Sequence, residues 1–144
     1  MKEKTLRFLG LMRKAGAIQI GEINTGAAVR DGKAKLLLLA KDASDNARSR
    51  AEGFTRGRNI LMVPLPFIKQ ELSAALGVNG CSMVAVTDIG FANALMEQLL
   101  AIEPESYTAQ AEETRQRFEK SERRKKETAA QARNKRTGKR RTNR

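Results

Sequence analysis

Up to residue 104 the chain is a series of short apolar runs divided by glycine and proline, and its rhythm switches between helical and extended spacing. Leu6, Phe8, Leu9 and Met12 recur at near-helical intervals among charged residues, and Gly16 supplies a stop, so residues 4–14 are predicted to be helical. Ala17 to Ile20 is apolar at alternate positions between Gly16 and Gly21, which reads as a strand. Residues 22–31 give the next helix, closed by Gly32. Leu36, Leu37, Leu38, Leu39 and Ala40 are apolar on both faces, the pattern of a central strand covered by helices on each side. A helix of leucines is the competing reading, but Gly32 and the Asp42-Ala43-Ser44 turn leave too little length for it.

Ser44 to Arg56 is polar and helical, Ile60 to Val63 is a strand ended by Pro64 and Pro66, and Phe67 to Leu76 carries Phe67, Ile68, Leu72, Ala75 and Leu76 on one helical face. Asn79-Gly80 is a turn signal. Met83 to Thr87 is a further strand, and Asp88 is a candidate N-cap for a helix from Ile89 to Ala101. Helices thus alternate with four strands. This order predicts an α/β fold, a three-layer α/β/α sandwich on a four-stranded mixed, largely parallel sheet in which one strand is free to reverse.

Beyond Pro104 the composition changes. Residues 105–144 hold almost no large apolar side chain apart from Tyr107 and Phe118, so ordering them at roughly 1 to 2 kcal/mol per residue is not expected to be recovered by packing. The reading is a domain over residues 1–104 followed by a basic tail over 105–144, mobile when free, with a solvated helix available to residues 109–132. The last stretch, RNKRTGKRRTNR from Arg133, has seven bases and no acid.

Charge narrows the function. The net charge is +12, with 14 Lys and Arg against 10 Asp and Glu up to residue 104 and 14 against 6 afterwards. Such a chain attracts polyanions, because every phosphate it neutralises releases condensed counterions. Nucleic acid is the leading partner and an anionic membrane the second. The chain has no histidine, which removes Ser-His and Cys-His nucleophile pairs and His-ligated zinc, and the single Cys81 fits a reducing cytosol. No signal peptide or membrane span is expected from the hydropathy pattern.

The stretch from Gly21 to Ser44 is the most informative for chemistry. A helix opening at Gly21 offers free amides to an anion, with Lys33 and Lys35 near in sequence, so donors and cations are expected at one rim of the buried strand. The ordinary alternative is that Gly21 and Gly32 merely let the chain turn. Gly26 to Ala34 superficially echoes a phosphate loop but has the wrong glycine spacing and precedes a strand, so it is rejected. Ser44 and Asn46 suit either helix capping or a base edge, and Arg48, Arg50, Arg56 and Arg58 form either a phosphate-binding margin or a solvated face. Asp42, Asp45 and Asp88 read as turn and cap residues before they read as magnesium ligands, so no metal and no cofactor is expected.

The segments GEINTGAAVRDGKAKLLLLAKDASDNA, KQELSAALG and VAVTDIGFANAL, with Pro64 between the first two, together resemble the archaeal and eukaryotic ribosomal L-seven-Ae and L-thirty-e family, and within it the short bacterial YlxQ-like members. The likeness runs over residues 4–101. It implies an α/β/α sandwich that binds kink-turn or related bent RNA without catalysis. By that likeness the helix from Gly21 meets the kinked backbone and sheared G·A pairs, and the loop from Val78 to Met83 covers an extruded nucleotide. The implied RNA-binding residues are Gly21, Glu22, Asn24, Thr25, Lys33, Lys35, Ser44 and Arg48, with Val78, Asn79 and Gly80 in the loop. The chain departs from the family pattern at Glu22-Ile23-Asn24, where archaeal members show Thr-Asn-Glu, and at Ala27, where most relatives show Lys. These changes remove base-edge and phosphate partners.

The expectation is therefore a cytoplasmic, non-enzymatic protein, monomeric when free, whose partner is structured RNA, ribosomal RNA foremost, on the ribosome or an assembly particle. A module that docks ribosome-assembly proteins, or a magnesium-dependent phosphate-handling enzyme using Asp42 and Asp88, are the rivals.

Overall fold

A computed structural model describes residues 2–137, with side chains placed to Arg133. In chain order the elements are α1 (Lys2–Lys14), β1 (Ile18–Ile20), α2 (Glu22–Arg30), β2 (Leu36–Leu39), α3 (Asp45–Thr55), β3 (Leu61–Pro64), α4 (Lys69–Leu76), β4 (Met83–Val86), α5 (Ile89–Ile102) and α6 (Pro104–Thr137). The leucine run is a strand, buried along its whole length. Its side chains alternate between two cores, as a pleated strand requires. Leu36 and Leu38 join Leu9, Met12, Phe67, Leu72 and Leu95 from α1, the β3–α4 segment, α4 and α5. Leu37 and Leu39 join Ala28 and Val29 of α2 and Ala47 and Ala51 of α3. Helices therefore cover both faces of the sheet, and the smaller α2–α3 core is built from alanine. Its closeness shows at Gly26, where an added Cβ would meet the Phe54 ring at 2.8 Å.

The strand order is β1-β4-β2-β3. β2 and β3 pair in parallel, but β4 runs antiparallel to both β1 and β2. This corrects the expectation of a largely parallel sheet. One strand is reversed, and because it lies between β1 and β2 it makes two of the three pairings antiparallel. The connection from β3 explains the reversal. β3 ends at Pro64 opposite Leu39, and β4 begins at Met83, also opposite Leu39. α4 does not carry the chain to the far end of the sheet; left-handed Gly77 stops it, and the following loop returns to the rim it left.

α6 is helical across the 109–132 stretch where a solvated helix is expected, but it also packs against the domain, which the expectation of a mobile tail does not include. Tyr107, Ala111 and Thr114 are buried at helical spacing, and Phe118 is half-buried. The helix runs along the free edge of β3. The Tyr107 hydroxyl donates to the Pro64 carbonyl, Gln110 Nε2 donates to the Met62 carbonyl at 3.1 Å, and Arg117 donates to the Asn59 carbonyl and Oδ1 at 2.9 and 2.8 Å. Edge strands leave a row of groups unpaired. Here α6 satisfies the outward carbonyls, and Pro64 has no amide to leave unpaired. Most of the terminal basic run falls outside the described residues.

Candidate nucleic-acid interface

Three segments meet at the end of the sheet where β1 and β2 finish and β4 starts. The first is the N-terminus of α2. The Gly21 amide donates to the Met83 carbonyl at 3.0 Å, fixing the helix start against β4. Gly21 has φ 93°, a conformation that side-chain-bearing residues rarely adopt, and no side chain caps the helix. The first amide of the helical ladder is that of Thr25, which donates to the Gly21 carbonyl at 2.9 Å. The amides of Glu22, Ile23 and Asn24 thus form an uncapped turn at the positive end of the helix dipole.

Side chains around that turn divide the work. Asn24 Nδ2 donates to the Ile20 carbonyl at 2.9 Å, which fixes the amide and leaves Oδ1 as an acceptor on an exposed residue. Ile23 is 84% exposed, a large apolar side chain standing in solvent beside the open amides. The Glu22 carboxylate pairs with Arg50 of α3. This ties α2 to α3 and neutralises the acid nearest the dipole.

The second segment is the start of α3. Ser44 Oγ accepts from the Ala47 amide at 3.1 Å, so its hydroxyl is engaged as an N-cap, and half-buried Arg48 lies one turn on. The third is the loop after α4. The Val78 amide donates to the Ser73 carbonyl at 3.0 Å, and the Cys81 amide donates to Ser73 Oγ at 2.7 Å, pinning both ends of the Asn79-Gly80 turn. Burial pushes the Cys81 thiol up, away from reactive thiolate character. A shallow hollow of about 580 Å³ lies against this loop, with Lys69 and Ser82 on its walls.

Gly21, Glu22, Asn24, Ser44, Arg48, Val78, Asn79 and Gly80 are thus brought to one rim. Three other expected site residues are not. Thr25 is fully buried, and its hydroxyl oxygen lacks a hydrogen-bond partner, so it faces the protein and not a ligand. Lys33 and Lys35 are exposed but lie at the opposite end of the sheet, where the Lys35 amide donates to the Val86 carbonyl at 2.6 Å. The nine residues of α2 separate them from Gly21. At 1.5 Å per residue this is about 14 Å. The expectation of amides and lysines on one rim is corrected. Ile23 stood out in the sequence only as a departure, and Arg50, read there as part of a phosphate-binding margin or a solvated face, is held by Glu22 in an ion pair that needs two helices to be packed.

The carboxylates also separate. Asp42 Oδ1 accepts from the Lys69 amide at 2.7 Å, Asp88 Oδ1 accepts from the Phe91 amide at 2.9 Å as a cap, and the two lie at opposite ends of the sheet. Among the described residues no group of His, Cys, Asp and Glu is placed to hold a metal ion, and no helix is long and apolar enough to cross a membrane.

A Bacillus subtilis protein named RNA-binding protein YlxQ is 37% identical over 94 residues, spanning 64% of this chain and 91% of the relative. The chain belongs to the L-seven-Ae/YlxQ-like family. An Enterococcus faecium protein, also named RNA-binding protein YlxQ, is 28% identical over 96 residues and 91% covered. Among solved structures, a Bacillus halodurans protein described as of unknown function superposes with a TM-score of 0.61 at 26% identity, covering 67% of this chain and 96% of that one. The Giardia lamblia 15.5kD RNA binding protein superposes with a TM-score of 0.53 at 19% identity, covering 69% and 84%, and shares the fold. No protein-family model matches the chain. The family likeness read from motifs stops at residue 101, so α6 lies beyond it.

Proposed function

We propose that this protein binds folded RNA without catalysis, through the rim formed by the α2 N-terminus and the Val78–Gly80 loop, and that residues 1–104 carry the recognition. The uncapped first turn of α2 carries the reading: three amides, an oriented Asn24 acceptor and a solvent-exposed Ile23 stand together. Amides and helix termini suit phosphate oxygens, an oriented side-chain amide suits a base edge, and an apolar side chain suits the face of an unstacked base. A straight duplex offers no splayed base, whereas a bent or bulged RNA does. The names of the Bacillus subtilis and Giardia lamblia relatives support the same ligand class.

The preferred ligand is a kink-turn-like bend in ribosomal RNA, met in the cytoplasm on the ribosome or an assembly particle by a monomeric protein. Ile23 and Ala27 replace polar and basic family residues, so the reading gives shape and stacking a larger share than base-edge hydrogen bonds. The test is binding of the full chain to a kink-turn RNA and to a straight duplex of equal length. Asn24→Ala should weaken the first by roughly tenfold, in line with the 1–3 kcal/mol of a good base contact, and leave the second nearly unchanged. Equal losses on both RNAs would remove the rim from recognition.

A further inference from the structure

The opposite end of the sheet carries a groove that the rim does not use. It holds about 700 Å³ between the C-terminus of α2, the loop before β3, the start of α5 and one face of α6. Its floor is apolar, with Val29, Ala34, Ile60 and Ile89. Its walls hold Arg30, Lys35, Arg58, Arg117, Lys120 and Arg124, and no lining residue is acidic. Arg117 is committed, its guanidinium bonded to Asn59 and to Glu113. The other five cations are exposed, and none has a carboxylate partner among the described residues.

That arrangement is built by the helix phase of α6. Its acids Glu112, Glu113, Glu119 and Glu122 pair within the helix with Arg115, Arg117 and Lys125, while Lys120 and Arg124 follow Arg117 on the groove face and remain unpaired. Like charges converging on one hollow repel unless an anion joins them. A polyanion is favoured over a small phosphate because the five unpaired cations are spread around the hollow, on α2, the α2–β2 loop, the α3–β3 loop and α6, and are not gathered at one point. A concave track suits a strand or helix backbone better than it suits a flat lipid surface.

We propose that this groove is a second RNA contact, a sequence-independent phosphate track that grips the arm of the ligand RNA leaving the α2 rim. The proposal rests on the RNA-binding reading above and adds a site to it. Neither Lys33 nor the terminal run is needed for it.

The test compares the full-length wild type with the quadruple variant Arg30→Gln, Lys35→Gln, Lys120→Gln, Arg124→Gln. The control is Arg115→Gln with Lys125→Gln, which removes cations already paired within α6. Two probes are used: a kink-turn RNA with a short stem, and the same RNA with that stem extended by one helical turn. Wild type should bind the longer probe more tightly. The quadruple variant should lose that gain, bind at least about tenfold more weakly at low salt, and show a log–log salt slope shallower by about 2 to 4. Its preference for bent over straight RNA should persist, and the control should behave as wild type. A quadruple variant that melts like wild type and keeps its affinity and slope would overturn the track. Loss of tripolyphosphate or anionic-vesicle binding with RNA binding intact would overturn it too, assigning the groove to another anion. Wild-type protein that binds neither RNA would instead overturn the parent reading, an outcome visible before any variant is made.

Discussion

The two ends of the sheet present opposite chemistries on one scaffold. At the Gly21 end the donors are backbone amides and the exposed side chains are Asn24 and Ile23, with the nearest acid, Glu22, paired to Arg50. At the Lys35 end the donors are long cationic side chains drawn from α2, the α2–β2 loop, the α3–β3 loop and α6, with no acid among them. Amides held by a helix define positions closely; lysines and arginines on flexible stems do not. The first arrangement suits discrimination among RNA shapes, and the second suits affinity for any phosphate backbone. The ends also differ in origin, since the Gly21 end lies wholly within the family-like stretch and the Lys35 end needs α6.

The most severe way to break the comparison is to unseat α6. Tyr107 is 4% exposed, and its hydroxyl donates to Pro64 at the strand edge. Tyr107→Ala should cost about 3 to 4 kcal/mol, by analogy with large aromatic truncations, measured by denaturant unfolding. Its binding defect should fall on the Lys35 end, seen as a shallower salt slope, with bent-over-straight preference retained. If preference collapses and the slope stays, α6 supports the wrong end. Truncation at Pro104 is a poor substitute, because it strips Tyr107, Ala111 and Thr114 from the core together with the charges.

A milder perturbation uses pH. Burial, with Glu103 adding to it, pushes the Tyr107 hydroxyl up to about 12 from its ordinary 10. The folded state therefore holds this proton where the unfolded chain releases it, so stability falls as pH rises from about 10 to about 12 and levels off above. Two pH units correspond to about 2 to 3 kcal/mol at most. Tyr107→Phe keeps the ring, removes the titration and should flatten this part of the profile relative to wild type, although it leaves the Pro64 carbonyl short of a donor. Profiles of equal steepness would mean that α6 is not held by this contact.

Local pattern made most of the fold legible, and long-range geometry hid the rest. The run Leu36 to Ala40 could be assigned because its length and its apolarity on both faces fit a covered strand, and Asp88 because capping is a contact over three residues. The direction of β4 was not legible. It depends on which rim the chain occupies after Gly77, a property of how the loop closes. Lys33 and Lys35 misled for a similar reason: residues close to Gly21 in sequence are carried across the sheet by the intervening helix. For α6 the signal was present and misweighted. Tyr107, Ala111, Thr114 and Phe118 follow helical spacing, but composition counted only the two aromatics as core formers. What seats the helix is the burial of Tyr107 and Ala111 in the main core beside α5 together with hydrogen bonds to the edge of β3, and an apolar count records neither the alanine's placement nor the hydrogen bonds.

The smallest expected effect tests where the Gly21 end stops. Thr25 lies in the first turn of α2, one residue after Asn24, and the family likeness would have it touch RNA. Its side chain is instead fully buried, with a hydroxyl oxygen that finds no partner. A buried hydroxyl without a hydrogen bond costs desolvation and returns nothing, so replacing it with a methyl of similar shape removes a penalty. Thr25→Val should therefore leave stability unchanged or raise it by up to about 1 kcal/mol, read from the denaturation midpoint. Affinity for bent RNA should not move. A loss of affinity comparable to that of Asn24→Ala would show that the first turn of α2 rotates on binding, bringing Thr25 into the rim, and the division between a preformed recognition end and a flexible cationic end would then fail at its more rigid half.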